Sequence, residues 1–120
     1  MHTVCETRPF QAAAKGAGMT RDEIDAFASI IAGDPMAGDL MQDTGGCRKV
    51  RFAKPGMGKS GGYRVITYFG GSELPVFLLT VFGKGEKANL TMAERNGLAV
   101  LTGTLADTYR KKVVNMGAAR

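Results

Sequence analysis

The sequence predicts an α+β domain in which one antiparallel sheet lies between an N-terminal helix and a C-terminal helix. Two capping boxes, each followed by apolar residues at helical spacing, predict the helices. Three strand-like runs joined by short glycine-containing links lie between them and predict the sheet. A chain of 120 residues has room for one modest core, so we expect a single domain.

The helices are placed by their N-terminal signals. The first capping box, T-x-x-E at residues 20–23, predicts a helix over about 21–32. The second, at residues 91–94, predicts a helix over about 92–112 with an apolar stripe formed by Leu98, Leu101 and Leu105. We therefore expect a poorly structured lead-in over residues 1–18, a domain over 19–112 and a tail over 113–120.

The strand-like runs cover about 47–53, 62–70 and 75–82. Their short links favour an antiparallel meander. The third run is apolar on both faces, so we expect it to be a central strand that is covered on each side.

Charge is segregated along the chain. Residues 1–43 carry three basic and seven acidic side chains, a net charge of −4, whereas residues 44–120 carry thirteen basic and four acidic side chains, a net charge of +9. Between Cys47 and Arg64 there are six basic residues and no acidic one. A segregated basic excess of this kind indicates a polyanionic partner or an acidic docking segment.

Alternation along the strands sorts the basic side chains by face. Lys49 and Arg51 share one face of their strand, whereas Arg48 lies on the other. If the Lys49 and Arg51 face aligns with Arg64 in the next strand, the sheet presents a concave basic groove. A slip of one residue in the register would reverse this arrangement.

Several functional classes are excluded or disfavoured. The run G-K-S at 58–60 resembles the end of a Walker A motif, but the first glycine of that motif falls on Ala53 and a strand follows where a helix is required. The only histidine is His2, so we expect no histidine-based metal site and no cofactor. Cys5 and Cys47 predict reduced thiols. No apolar run of about 18 residues exists and no signal peptide is recognisable, which predicts a cytosolic protein.

Two stretches carry a resemblance to a known family. These are GGCRKVRFAKPGMGKSGGYRVITYF and, after a short gap, FLLTVFGKGEKANLTMAERNGL. The chain resembles, over about residues 34–110, the HigB branch of the RelE/ParE superfamily of bacterial toxins. The resemblance implies a fold of helices packed on a curved antiparallel sheet of three to four strands. It also implies a ribosome-dependent endoribonuclease that works without metal, a helix-turn-helix antitoxin as partner, and contact with operator DNA only through the antitoxin complex.

The resemblance also suggests which residues act. Arg64 matches the arginine of the family's Gly-x-Arg and is expected to clamp the scissile phosphate. The other candidates for catalysis are Arg51, Lys59 and Lys84, and the candidates for RNA binding are Arg48, Lys49, Lys54 and Lys87. The family often has arginine after the last Gly-Lys, where this chain has Gly85, and commonly stacks a C-terminal tyrosine on a base. Tyr109 is the only C-terminal tyrosine here, and we expect its helix to pack.

Two other functions remain open from the sequence. A toxin of the ParE type shares the fold but poisons DNA gyrase and needs no catalytic basic cluster. A non-catalytic RNA-binding module would present exposed aromatic residues at stacking positions, whereas the aromatic residues here fall mostly in buried alternation.

Overall fold

The computed structural model describes residues 2–53, 62–83 and 90–118, with residues 111–118 described as backbone only. In these ranges, five strands and three helices form an α+β arrangement. The helices are α1 (Arg8–Gly16), α2 (Arg21–Gly33) and α3 (Met92–Ala118). The strands are β1 (Val4–Glu6), β2 (Asp39–Leu40), β3 (Cys47–Phe52), β4 (Tyr63–Phe69) and β5 (Val76–Phe82). The α+β class and the three main strands are as predicted.

The strand order of the sheet is β1-β5-β4-β3-β2. Strands β2 to β5 pair antiparallel with their neighbours, and β1 pairs parallel with β5. The expectation of a purely antiparallel sheet of three to four strands was therefore wrong in both respects. Strand β5 has neighbours on both sides and is almost entirely buried, as its apolar sequence predicted.

The N-terminal residues correct the prediction of a poorly structured lead-in. The backbone of Thr3 accepts a hydrogen bond from the amide of Val76 (2.8 Å), which continues the β1–β5 pairing. Thr7 caps α1 and also bonds through its hydroxyl to the carbonyl of Leu78 (2.8 Å). Phe10 is fully buried. Composition alone hid this segment, because its alanines and glycines carry weak local signals while its contacts are with residues about 70 positions away.

The two faces of the sheet carry separate cores. Helices α1 and α2 cover one face, where Phe10, Phe27 and Ile31 pack against Val65 and Leu78. Helix α3 covers part of the other face through the predicted stripe of Leu98, Leu101 and Leu105. We call these the α1/α2 face and the α3 face.

Both predicted capping boxes are present. The hydroxyl of Thr20 accepts from the amide of Glu23, and the Glu23 carboxylate accepts from the amide of Thr20. Thr91 and Glu94 make the same reciprocal pair at the start of α3. These pairs satisfy backbone donors that the first helical turn leaves free. Helix α3 continues to Ala118, beyond the predicted end near residue 112, so most of the predicted tail is helical.

The loop before β3 holds α3 in place. Gly45 has a φ of +75°, and a β-carbon there would lie 3.1 Å from the α-carbon of Ala99 and would also clash with the hydroxyl of Thr102. Only glycine allows both this backbone conformation and this close approach. Helix α3 is thereby fixed against the loop that leads into Cys47. Arg51, near the other end of β3, is exposed.

Candidate nucleic-acid interface

Two arginines face each other across adjacent strands. The β3–β4 register places Arg51 directly opposite Arg64. Lys49 lies two residues before Arg51 and so on the same face, which is the face of Cys47 and Ile66 in the α3-side core. Arg64 therefore aligns with the face of Lys49 and Arg51, the alignment that the sequence left open, and these three cations share one face.

This cluster has no local neutralisation in the described part of the chain. Arg51 is exposed, while Lys49 and Arg64 are partly exposed, and no acidic side chain there pairs with them. The ion pairs found in the same ranges join Arg21 to Glu6 and Asp25, next to α2 on the opposite side of the sheet. Like charges directly opposed in a sheet destabilise it by up to about 1 kcal/mol. An anion bound between the two arginines would offset their mutual repulsion, so this surface is suited to binding an anion.

The cluster lies on the α3 face, at the end of the sheet away from Cys47. At the other end of that face, Cys47, Tyr68 and Phe77 pair across β3, β4 and β5. Tyr109 of α3 packs edge-on against Phe77, with 6.4 Å between ring centroids. Because each strand residue advances about 3.4 Å, Arg51 lies about 14 Å along β3 from Cys47. Tyr109 is therefore far from the arginines.

An aromatic residue completes the row of the two arginines. Arg64 pairs with Phe82 of β5, and Phe82 packs partly buried against the α3-side core. Alternation along β5 alone would put Phe82 on the same face as Val76 and Leu78. A β-bulge, in which Ile66 pairs with Thr80 but the next residue, Thr67, pairs with Leu78, reverses the alternation beyond it. No local pattern in the sequence marks the bulge, so the sequence alone could not assign Phe82 to this row.

Arg48 lies apart from the cluster. Its alternation places it on the α1/α2 face, where its guanidinium donates to the carbonyls of Met36 (3.1 Å) and Gly38 (3.3 Å). These bonds tie β3 to the loop that precedes β2. The structure thus separates Arg48 from Lys49, Arg51 and Arg64.

The remaining candidates, Lys54, Lys59, Lys84 and Lys87, lie outside the described residues. Residues 54–61 connect β3 to β4 next to Arg51 and Arg64, and residues 84–89 follow β5 next to Phe82.

A buried polar contact supports the strand that carries Arg64. Tyr63, the preceding residue, is 4 % exposed and points to the α1/α2 face, where its hydroxyl donates to the carboxylate of Glu23 on α2. Burial, and the negative charge of Glu23 that accepts this bond, raise the pKa of the Tyr63 phenol. The sequence predicted only that the aromatic residues fall mostly in buried alternation, and it gave no sign that Tyr63 has a partner 40 residues away.

The chemistry of the cluster is that of phosphate recognition. A guanidinium stays protonated and presents a planar fork of donors that matches phosphate oxygens, whereas the Lys49 ammonium adds a compact charge. In the ranges that the structure describes, no group of three or more His, Cys, Asp or Glu could hold a metal ion. No helix in those ranges is long and apolar enough to cross a membrane.

A comparison with protein families identifies the chain. The model of the RelE toxin of RelE/RelB toxin-antitoxin systems matches residues 2–120. The match includes the N-terminal strand and helix that the sequence motifs left out. The fold, the basic cluster and this match together place the chain in the RelE toxin family, whose members are toxins with an antitoxin partner.

Proposed function

We propose that this toxin is an endoribonuclease of the HigB type that cleaves messenger RNA on the ribosome. The observation that carries the proposal is the direct opposition of Arg51 and Arg64 on the α3 face, where Arg51 is exposed, with Lys49 beside them. Two guanidinium groups held side by side can both donate hydrogen bonds to the oxygens of one phosphodiester. A toxin that acts only by binding protein has no need for this arrangement.

The reaction that fits these residues uses the RNA itself as nucleophile. The 2′-oxygen forms a bond to phosphorus, the bond from phosphorus to the 5′-oxygen breaks, and a 2′,3′-cyclic phosphate remains. One group accepts the 2′ proton and another gives a proton to the leaving 5′-oxygen. Arg64 and Arg51 stabilise the extra negative charge on phosphorus, which is the role of preorganised donors.

Proton transfer falls to lysine rather than to arginine. Arginine does not deprotonate in proteins, whereas the pKa of a lysine falls when other cations crowd it. Lys59 and Lys84 are the proposed acid and base, and Lys49, Lys54 and Lys87 the proposed backbone contacts. In the sequence, Lys54 and Lys59 lie between β3 and β4, and Lys84 and Lys87 lie between β5 and α3. The ribosome supplies the orientation of the messenger, which is worth several kcal/mol of barrier.

The decisive experiment maps cut ends on a translated messenger. The wild type should cut only when ribosomes are present, leave 2′,3′-cyclic phosphate ends and keep its activity after treatment with a chelator, once Mg²⁺ is restored for the ribosome. Arg64→Ala should cut about 10²–10³-fold more slowly. Arg64→Lys should rescue poorly, because a point charge does not replace the fork. Arg8→Ala, an exposed arginine on α1, is the matched control and should cut normally.

Arg64→Ala cutting at the wild-type rate would contradict the proposed site. Rapid DNA breakage with continuing protein synthesis after induction in bacteria would instead select gyrase as the target.

The proposed partner is a helix-turn-helix antitoxin that docks an acidic segment on the +9 half of the chain and brings the toxin to operator DNA. The complex should co-purify from cells that express the neighbouring gene, weaken modestly as salt rises, and repress its own operon. Absence of co-elution at every ionic strength would count against this partner.

A further inference from the structure

The β-bulge in the β4–β5 pair re-aims a side chain at the proposed site. Before the bulge, Val76 and Leu78 face the α1/α2 core while Phe77 and Leu79 face the α3 side. After it, Val81 faces the α1/α2 core and Phe82 the α3 side. Without the extra residue, Val81 would stand beside Arg64 and Phe82 would point away. Bulges are frequent next to active sites because they redirect side chains in this way.

The redirected ring lies in line with the two arginines. The register runs from Arg51 to Arg64 and from Arg64 to Phe82, so three side chains project from one row across three strands. Neighbouring strands lie about 4.8 Å apart, which makes the row about 10 Å long. That length spans one nucleotide, with its phosphate over the arginines and its base over the ring.

Phe82 is also supported and accessible in the manner of a stacking residue. It packs against the α3-side core and remains partly exposed. The other aromatic residues of this face, Tyr68 and Phe77, stack on each other with 6.3 Å between centroids at the end of the face that Tyr109 and α3 cover. Among the described residues, Phe82 is the aromatic side chain that shares a row with the arginines.

We infer that Phe82 binds RNA by stacking on the base of the nucleotide whose phosphate Arg51 and Arg64 hold. The inference rests on the proposed function for its ligand. Every base offers a flat face, so a phenylalanine here accepts any base and fixes where the backbone lies relative to the arginines. The tyrosine at the C-terminal end, Tyr109, is too far away to do this.

The test uses a short single-stranded RNA that cannot be cut, because all its 2′-hydroxyls are methylated, and that carries one 2-aminopurine. Stacking on an aromatic ring quenches the fluorescence of 2-aminopurine. The full-length wild type should quench it on binding. Phe82→Leu should abolish the quenching and weaken binding about 10- to 100-fold, whereas Phe82→Tyr should restore both.

The matched control is Phe52→Leu. Phe52 is likewise partly buried and lies next to Arg51, but it faces the α1/α2 core and stacks with Tyr63. Phe52→Leu should keep the quenching. In the translated-messenger assay, Phe82→Leu should raise KM more than it lowers kcat, because stacking contributes to binding before the bond to phosphorus forms. Thermal melting of each variant reports whether it is folded, and Phe82→Tyr keeps the test valid if Phe82→Leu unfolds.

The outcomes separate this inference from the proposed function. Quenching that depends on Phe82 in a protein that cuts no messenger supports the stacking site and rejects the nuclease. If the wild type cuts the messenger but folded Phe82→Leu still quenches 2-aminopurine and keeps the wild-type KM, the stacking site is wrong. The proposed nuclease activity is then unaffected. Quenching lost equally in Phe52→Leu, or not restored in Phe82→Tyr, also overturns the stacking site.

Discussion

The hydroxyl of Tyr63 lies 3.2 Å from Oε1 and 3.4 Å from Oε2 of Glu23, joining the first residue of β4 to helix α2. Glu23 also accepts from the amide of Thr20 (2.8 Å) in the capping box. One carboxylate therefore serves both the start of α2 and the start of β4. The next residue along β4 is Arg64, so this buried contact fixes the strand end from which the proposed phosphate clamp projects.

Removing the phenol should cost stability more than activity. We expect Tyr63→Phe to lower the free energy of unfolding by about 1.5–3 kcal/mol, the range for a buried hydrogen bond to a charged group. Chemical denaturation measures this loss, and the folded variant should still cut RNA. Tyr68→Phe is the control, because it also removes one phenolic hydroxyl from β4 but on the α3 face. An equal loss of stability in both variants would contradict the special role of the Glu23 contact.

Replacing either of the opposed arginines with alanine should weaken RNA binding without lowering the stability of the fold. Arg51→Ala and Arg64→Ala each remove one of two like charges, so we expect the free energy of unfolding to stay level or rise by up to about 1 kcal/mol. Binding of single-stranded RNA should weaken in both variants and depend less steeply on salt. A clear loss of stability in either arginine variant would show that the pair holds the sheet together.

A buried hydroxyl at the bulge lacks a hydrogen-bond partner in the described residues, and its effect on stability can be tested. Thr67 is fully buried, and within the described ranges its hydroxyl has no hydrogen-bond partner. A buried hydroxyl without a partner costs about 1–3 kcal/mol. Thr67→Val keeps the shape and removes the hydroxyl, so it should leave the free energy of unfolding unchanged or raise it. Thermal melting tests this, with the exposed Thr104→Val as control, and destabilisation confined to Thr67→Val would reveal an essential bond.

Alkaline pH should weaken the fold through Cys47. Burial raises the pKa of its thiol to about 11, and a hydrogen bond with Thr44 lowers it by less. Above pH 9 the unfolded chain releases this proton while the native protein holds it, so the native state binds more protons and stability falls as pH rises from about 9 to 11. Denaturation curves between pH 7.5 and 11 should fall less steeply for Cys47→Ala than for the wild type. Parallel curves would refute this assignment.

The described part of the candidate site followed largely from short patterns in the sequence. Alternation placed Lys49 and Arg51 on one face and Arg48 on the other, and the register then brought Arg64 to Arg51. The capping boxes placed α2 and α3 within a residue at their N-terminal ends. These signals are local, because a strand or helix period is expressed within a few residues of sequence.

By itself, the sequence determined the α+β class, the three main strands, both capped helices and the separation of Arg48 from Lys49 and Arg51 on β3. Only the tertiary structure decided that β1 joins the sheet parallel to β5, that α1 forms, that a bulge turns Phe82 toward Arg64, and that Tyr63 meets Glu23. Each of these depends on pairing or packing between residues far apart in the chain. A period of two or 3.6 residues carries no information about which distant partner a strand will meet or where one extra residue will interrupt the pairing.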